Sequence, residues 1–417
     1  MKIAIASDLH LGDITCSLAS FDRAGVVQLG PKYAEFKDAV ADSDYLVLVG
    51  DVLDFSVANY DTAFAAAQLF FTQLNRDGVT KQIVYVPGNH DYTLWTTVLQ
   101  QANVINPIAA HGAPRRRWTV PGILDFQTGK LLLAGVSPDP AGNYGGLFLD
   151  ELSRIGAAAP ATPITFNVVY PNLYLVPAPG ESILVTHGHY FDAYWSFLRE
   201  FARKIARTDL RLLGGAQPDV ADYVALNLPL NELASASIGQ SAGLSDIARA
   251  IQKEVKAGDL TRVTLYMNRL VAYLDSLIKF DGVFSPLKEY LSDKCLEAVR
   301  DFALKGLTSY PDHAPRYRTD YLKSADVQAR VRGYLDACLL EMSFTQACTG
   351  VTLSQPSTVL FGHTHDPLPL NVTPAMQLVH WGKCIRFYNT GGWLKDETAI
   401  VFRYESGAAP SCVVVPC

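Results

Sequence analysis

The chain has 417 residues, more than one core usually holds, so it should divide into two or three structural units of roughly 150 residues each. It is 49% hydrophobic but only 18% charged, against roughly 25% charged in ordinary soluble domains, which leans toward a large buried interface or an apolar substrate. Its formal charge of −6, from 35 basic and 41 acidic residues, excludes general binding to phosphate backbones, although local basic patches remain.

Short β-branched apolar runs punctuate the chain, and each ends in a polar motif. Ile3-Ala4-Ile5-Ala6 leads to Asp8-Leu9-His10, and Tyr45-Leu46-Val47-Leu48-Val49 leads to Gly50-Asp51-Val52-Leu53-Asp54. Ile83-Val84-Tyr85-Val86 precedes Gly88-Asn89-His90-Asp91, and Ile183-Leu184-Val185 precedes His187-Gly188-His189. The last of them, Thr358-Val359-Leu360-Phe361, precedes Gly362-His363-Thr364-His365. Such runs read as strands of a covered sheet, and polar residues at their ends are where α/β proteins bind ligands. Helical stretches at 31–41 and 61–74 alternate with the first strands, and further strands are expected at 131–136, 168–176, 384–388, 399–404 and 412–415.

From about 190 to 350 the texture is helical. Leu260, Val263, Met267, Leu270, Leu274 and Leu277 recur at spacings of three and four and form one apolar stripe. Pro286 opens another helix that Gly306 ends, and a third is expected from about Ser324 to Ala347. The expected organisation is a core of residues 1–189 and 357–417 with a helical cap at 190–356 inserted between two core strands. Both insertion points lie beside polar motifs, which places the cap over the candidate site. The strand beginning at Lys2 leaves no room for a secretory leader, no apolar stretch approaches a membrane span, and the seven cysteines contain no CxxC pair. Free thiols in the cytoplasm are therefore expected.

Asp8 and His10 are two residues apart, as are His363 and His365, so at a strand end each pair projects to one side. Carboxylate, imidazole and amide oxygen together suit Mn²⁺, Fe or Zn²⁺, whereas a structural zinc or iron–sulfur site would need thiolates. A two-metal centre needs a shared carboxylate, and Asp51 is the natural candidate.

In this order the motifs resemble those of the calcineurin-like metallophosphoesterases, D-x-H, GDxx(D), GNH(D/E), H and GHxH. The resemblance spans residues 8–365 and omits the helical insertion. It implies a four-layer αββα sandwich and two divalent metal ions, Mn²⁺ first with Fe or Zn²⁺ as alternatives. Asp8, His10, Asp51 and His365 would hold the first ion, and Asp51, Asn89, His187 and His363 the second. It further implies hydrolysis of a phosphodiester, pyrophosphate or phosphomonoester by a metal-bridging hydroxide, with His90 and Asp54 as the catalytic pair that serves the leaving oxygen. Phe55 and Asp91 depart from the protein Ser/Thr phosphatase pattern, and Asp54 stands where purple acid phosphatases place a tyrosine. Two alternatives remain: a repair-nuclease-like phosphodiesterase acting on DNA, and a non-catalytic scaffold working through the insertion.

Other features have both a functional and a plainer reading. His189 is a substrate contact or simply a loop histidine. Arg115-Arg116-Arg117 is a phosphate grip or a solvated face. The stretch Tyr190 to Leu212 combines an aromatic face with Arg199, Arg203, Lys204, Arg207 and Arg211, suiting a lipid-like substrate, an anionic membrane surface, or packing within the insertion. Asn389-Thr390-Gly391-Gly392 resembles the turn after the last histidine motif of family phosphodiesterases, and is equally a glycine turn.

Overall fold

The computed structural model describes the chain except residues 23–24, 81, 116, 137–143, 155–162, 193–194, 197–218 and 371–375. Between 241 and 320 it describes only 254, 259, 261–262, 264–266, 268–269 and 272. The strands are β1 (Lys2–Ala6), β2 (Ala19–Phe21), β3 (Val27–Leu29), β4 (Tyr45–Val49), β5 (Gln82–Val86), β6 (Gly122–Asp125), β7 (Lys130–Leu133), β8 (Thr165–Val168), β9 (Asn172–Val176) and β10 (Ile183–Thr186). After the insertion come β11 (Thr358–Phe361), β12 (Met376–His380), β13 (Lys383–Asn389), β14 (Thr398–Glu405) and β15 (Ser411–Pro416). One sheet runs β15-β14-β1-β4-β5-β8 and the other β12-β13-β11-β10-β9-β6-β7. Strands β1, β4 and β5 run parallel, as do β10, β11 and β13.

Alternation along each strand explains the layering. Ile3, Ile5, Val47, Val49, Val84 and Val86 enter one apolar cluster with Leu173, Leu175, Ile183, Val185 and Leu360 of the second sheet. Their neighbours Ala4, Ala6, Leu46, Leu48, Ile83 and Tyr85 enter another, shared with the helices α1 (Tyr33–Val40), α2 (Tyr60–Arg76) and α3 (Tyr92–Gln100). Both faces of the sheet are therefore covered, which is why its strands read as continuous apolar runs and not as alternating ones. The expected strand at 168–176 is in fact two strands in different sheets. Pro171 cannot continue the ladder, so β8 pairs with β5, and β9 pairs with β10.

The chain forms two compact units, Met1–Gln240 with Pro315–Cys417, and Ser241–Ala314. Two helices that fall within the expected insertion, Val220–Gln240 and the expected Ala325–Thr349, belong to the larger unit. The first meets α3 and the second helix, and Tyr223, Val224, Val331 and Tyr334 join the helix-side cluster. Tyr190, Phe191 and Trp195 are buried, so they are not available to a membrane, and the basic residues from Arg199 to Arg211 lie outside the described residues. The helix predicted after Pro286 and much of the Leu260 stripe also lie outside them. No helix among the described residues is long and apolar enough to cross a membrane. In the smaller unit, Arg262 pairs with Glu254 at 2.9 Å.

The helix Ala325–Thr349 carries a buried carboxyl against β9. Glu341 Oε2 accepts from Asn172 Nδ2 and Tyr174 Oη, both at 2.7 Å, while Oε1 has no hydrogen-bond partner among the described residues. Burial lifts this carboxyl from 4.5 to about 7, against the two donors that favour its charge. The unfolded chain ionises near the ordinary value, so Glu341 favours the fold fully below pH 4.5 and loses that contribution as pH rises to about 7. Ionising it in place costs on the order of 3 kcal/mol. Glu341→Gln keeps an acceptor for both donors and cannot ionise. It should raise the melting temperature by several degrees at pH 8 and leave it nearly unchanged at pH 4.5, as measured by calorimetry at both pH values.

Candidate metal centre

The motif residues emerge from the carboxyl ends of β1, β4 and β5 in one sheet and β10 and β11 in the other, so five strand ends converge. Their loops are tied to one another by the backbone: Asp8 N donates to Gly50 O at 3.0 Å, His10 N to Asp51 O at 2.9 Å, and Gly362 N to His187 O at 3.1 Å. Asp8, His10, Asp51, His363 and His365 all have positive φ, between 50° and 67°, a region that costs energy for residues other than glycine and clusters at functional sites. Glycine is required where these loops crowd together. A Cβ on Gly50 would strike the His187 ring, and one on Gly88 would strike Asp51 Oδ1.

Among the described residues three groups of possible ligand atoms result. Asp8, His10 and His365 form the first, Asp51, His187 and His363 the second, and His10, Asp54 and His90 a third that shares His10 with the first, with the ligand atoms of each within 4.8 Å of one another. Asn89 joins the second group, its Oδ1 lying 3.0 Å from His187 Nε2. All of these residues except His365 are buried. Seven widely separated positions expected to act together are thus brought together.

The ring orientations show what such a centre can hold. His10 Nδ1 faces Asp54 Oδ2 at 2.7 Å, His365 Nδ1 faces Glu397 Oε2 at 2.9 Å, and His187 Nδ1 faces Val49 O at 2.8 Å. Each partner can only accept, so each Nδ1 carries the proton and each Nε2 turns a lone pair inward. Two such Nε2 atoms, of His10 and His365, meet at 3.1 Å, and His365 Nε2 lies 3.3 Å from Asp8 Oδ1. In the other group His187 Nε2 lies 3.2 Å from Asp51 Oδ2, beside the Asn89 oxygen. Acceptors crowded against acceptors need a positive charge among them, either a proton or a cation. The same field appears in the titration of the rings. Burial disfavours charge on His187, yet Asp51 outweighs it and holds the ring up at about 9, and Glu397 and Asp8 likewise hold His365 well above its ordinary value. His363 is held well below by burial and by His187. The donor set, imidazole with carboxylate and amide oxygen, fits a pair of divalent ions.

Beside the first group, Asp54 serves two histidines. Its Oδ2 takes His10 Nδ1, and its Oδ1 lies 2.9 Å from His90 Nδ1 and accepts from Ser56 Oγ at 2.7 Å. The expected pairing of Asp54 with His90 is present, together with a link to a metal-ligand candidate that the motif does not reveal. Burial opposes charge on His90, but Asp54 and then Asp51 outweigh it and hold the ring at about 10. Cations bound nearby would work against that proton.

The calcineurin-like phosphoesterase family model matches residues 1–221. The chain belongs to this family. The matched segment carries Asp8, His10, Asp51, Asn89 and His187, and β11, beyond it, brings His363 and His365 to the same place. No curated protein matches the chain. Family membership and the two Asp/His groups together make this a metal-dependent phosphoesterase of mixed α/β fold.

Three further residues support the site, of which only Glu397 had no signal in the sequence. Glu397 lies between β13 and β14 outside any motif, yet it orients His365. Asp91 accepts from Gly88 N at 2.6 Å, Val52 N at 2.9 Å and Tyr85 Oη at 2.5 Å, clamping the β4 and β5 loops together. Asn389 donates to Gly362 O at 2.7 Å and Thr364 Oγ1 at 3.0 Å, so the Asn-Thr-Gly-Gly turn braces the last histidine motif. His189 is buried, 5.5 Å from His187 and 4.1 Å from Tyr190 between ring centres; burial and His187 keep it neutral. His380 pairs with Asp336 at 2.8 Å, His111 is exposed, and His313 lies outside the described residues.

Partners of a liganding histidine usually govern metal affinity by about 10–100-fold. Glu397→Gln should therefore weaken binding at the first group by that range while sparing the second. Stepwise chelator titration with metal analysis reads this directly. Loss of both ions together, or of neither, would show that Glu397 does not orient a ligand.

Proposed function

We propose that the protein hydrolyses a phosphodiester or pyrophosphate linkage, ahead of a monoester, with Asp8, His10, Asp51 and His365 holding one divalent ion and Asp51, Asn89, His187 and His363 the other. The observation that carries this reading is the convergence of acceptor atoms from five strand ends, with the Asp54–His90 pair at their margin. When bound, the two ions would supply activation of water and neutralisation of phosphate charge. Mn²⁺ is our first choice of metal and Fe or Zn²⁺ the alternatives.

The chain's own residues do the rest. Asp51 joins the two groups. Asp54 holds the His90 ring through Nδ1, which leaves Nε2, 3.9 Å from Asp51 Oδ2, as the atom that delivers a proton to the leaving oxygen. Val49, Glu397 and Asp54 fix the liganding rings before substrate arrives. Preference for a large or lipid-like substrate rests on the helical texture of the sequence between His189 and β11 and on the low charge content of the chain. Cytoplasmic location is supported by free thiols at Cys16, Cys338, Cys348, Cys384, Cys412 and Cys417.

The test is turnover of protein loaded with Mn²⁺, Fe or Zn²⁺ on a monoester, a diester, a nucleotide-sugar pyrophosphate and single-stranded DNA. Cleavage of the diester or pyrophosphate at least tenfold faster than the monoester supports the proposal. Faster monoester cleavage refutes the linkage preference, and preferential DNA cleavage would make it a nuclease.

A further inference from the structure

A cavity of about 560 Å³ opens at the far end of α3, and none of its lining residues belongs to the metal-centre motifs. That size falls in the range of small-molecule pockets, roughly 300–1,000 Å³. One wall is the π-helical turn Gln101–Ile105, a backbone form that recurs at functional sites. Beside it stands the start of the helix Gly146–Arg154.

Two guanidinium groups reach this cavity, Arg115 and Arg117, two residues apart on the segment leading to β6. Arg115 N is anchored to Asn103 O at 2.9 Å, and Arg117 lies over the Phe344 ring at 5.9 Å. Among the described residues neither has a carboxylate within ion-pair distance, although the chain is acidic overall. The walls are held by side-chain bonds: Asn103 Nδ2 donates to Tyr144 Oη at 3.3 Å, and Leu147 N to Gln101 Oε1 at 2.9 Å. The surroundings thus present a fixed polar frame, two uncompensated cations, and apolar surface from Val98, Ala102 and Leu147. Asp150 also lines the cavity.

We propose that this cavity binds an organic phosphate of mononucleotide size. Its phosphate lies on the Arg115 and Arg117 forks, and its flat apolar part lies on α3. Paired guanidiniums match phosphate oxygens in geometry and charge, and a bare inorganic ion would leave the apolar wall unused. The proposal stands on residues separate from the metal centre and does not require that centre to be catalytic.

The experiment is calorimetric titration of the metal-loaded full chain with the non-hydrolysable phosphonate analogue of adenosine monophosphate, with adenosine and inorganic phosphate as separate probes. Arg115→Ala and the double variant Arg115→Ala/Arg117→Ala are titrated beside the parent, with melting curves to confirm folding. Binding of the phosphonate at the metal centre is common to all three proteins, so the difference isolates this cavity. Losing one charge-assisted contact should weaken binding about tenfold, and losing both should remove one equivalent of bound phosphonate. Phosphoesterase turnover should stay within about twofold. Arg115→Ala alone provides the answer if the double variant fails to fold, because its side chain is exposed. Unchanged isotherms, adenosine binding as tightly as the phosphonate, or inorganic phosphate binding as tightly as the phosphonate would each overturn the proposal.

Discussion

Asp51→Asn should abolish turnover on whichever phosphoester the protein cleaves and should lower its metal content. Asparagine keeps the size of the side chain and an oxygen to accept the His90 N–H, which Asp51 Oδ1 now takes at 2.8 Å, so the β4 and β5 loops stay joined. It removes the negative charge that counters His187 and His90 and that we assign to both ions. Burial raises the Asp51 carboxyl, but His187 and His90 outweigh burial and hold it well below the usual carboxylate range. The site is thus built around its charged form. Altering partners one step removed from an ion costs about 10–100-fold, so losing a carboxylate shared between two should exceed about 100-fold in kcat. The measurements are kcat on the best substrate, metal analysis after gel filtration, and a melting curve. A folded variant that keeps two ions and parent activity would show that Asp51 bridges nothing.

Much of this centre is legible in the sequence because covered parallel strands announce themselves. Runs such as Tyr45–Val49 and Val359–Phe361 are apolar, since both faces are buried, and the glycine and polar residue that follow mark a strand end. Pairs two apart, Asp8 with His10 and His363 with His365, add direction to position. What orients these ligands leaves no such trace. Glu397 stands 32 residues beyond His365 on a turn rich in ordinary charges, and only the pairing of β14 beside β1 brings it back to the site. The second duty of Asp54 is hidden for the same reason, because His10 lies 44 residues before it. Helical periodicity likewise reports that a segment is helical without naming its partner. The helices Val220–Gln240 and Ala325–Thr349 read as part of an inserted bundle, yet Tyr223 and Tyr334 meet each other at 5.2 Å and Tyr190 at 5.9 and 6.0 Å, beside the His187-Gly188-His189 loop. Their aromatic surface is buried against the core.

His90→Ala should retain both ions and slow the enzyme in proportion to how poor the leaving group is. The ring is none of the seven assigned ligands, and its Nδ1 is committed to Asp54 and to Ser56, whose Oγ lies 2.6 Å away. Its role in this reading is to supply a proton or a positive charge to the departing oxygen. General acid catalysis typically contributes about 10²–10⁴-fold, and that loss is expected with a nucleoside or alkyl leaving group. A nitrophenolate leaves without a proton, so its ester should be cleaved within about tenfold of the parent rate, since general acid assistance matters only where the leaving group is basic. Asp54→Asn should combine this defect with weaker metal binding, because this one carboxylate holds both His90 and His10. The two variants separate the roles: metal content falls in Asp54→Asn and not in His90→Ala, whereas both slow poor leaving groups far more than good ones. If His90→Ala slows good and poor leaving groups equally, the ring binds substrate and does not donate the proton.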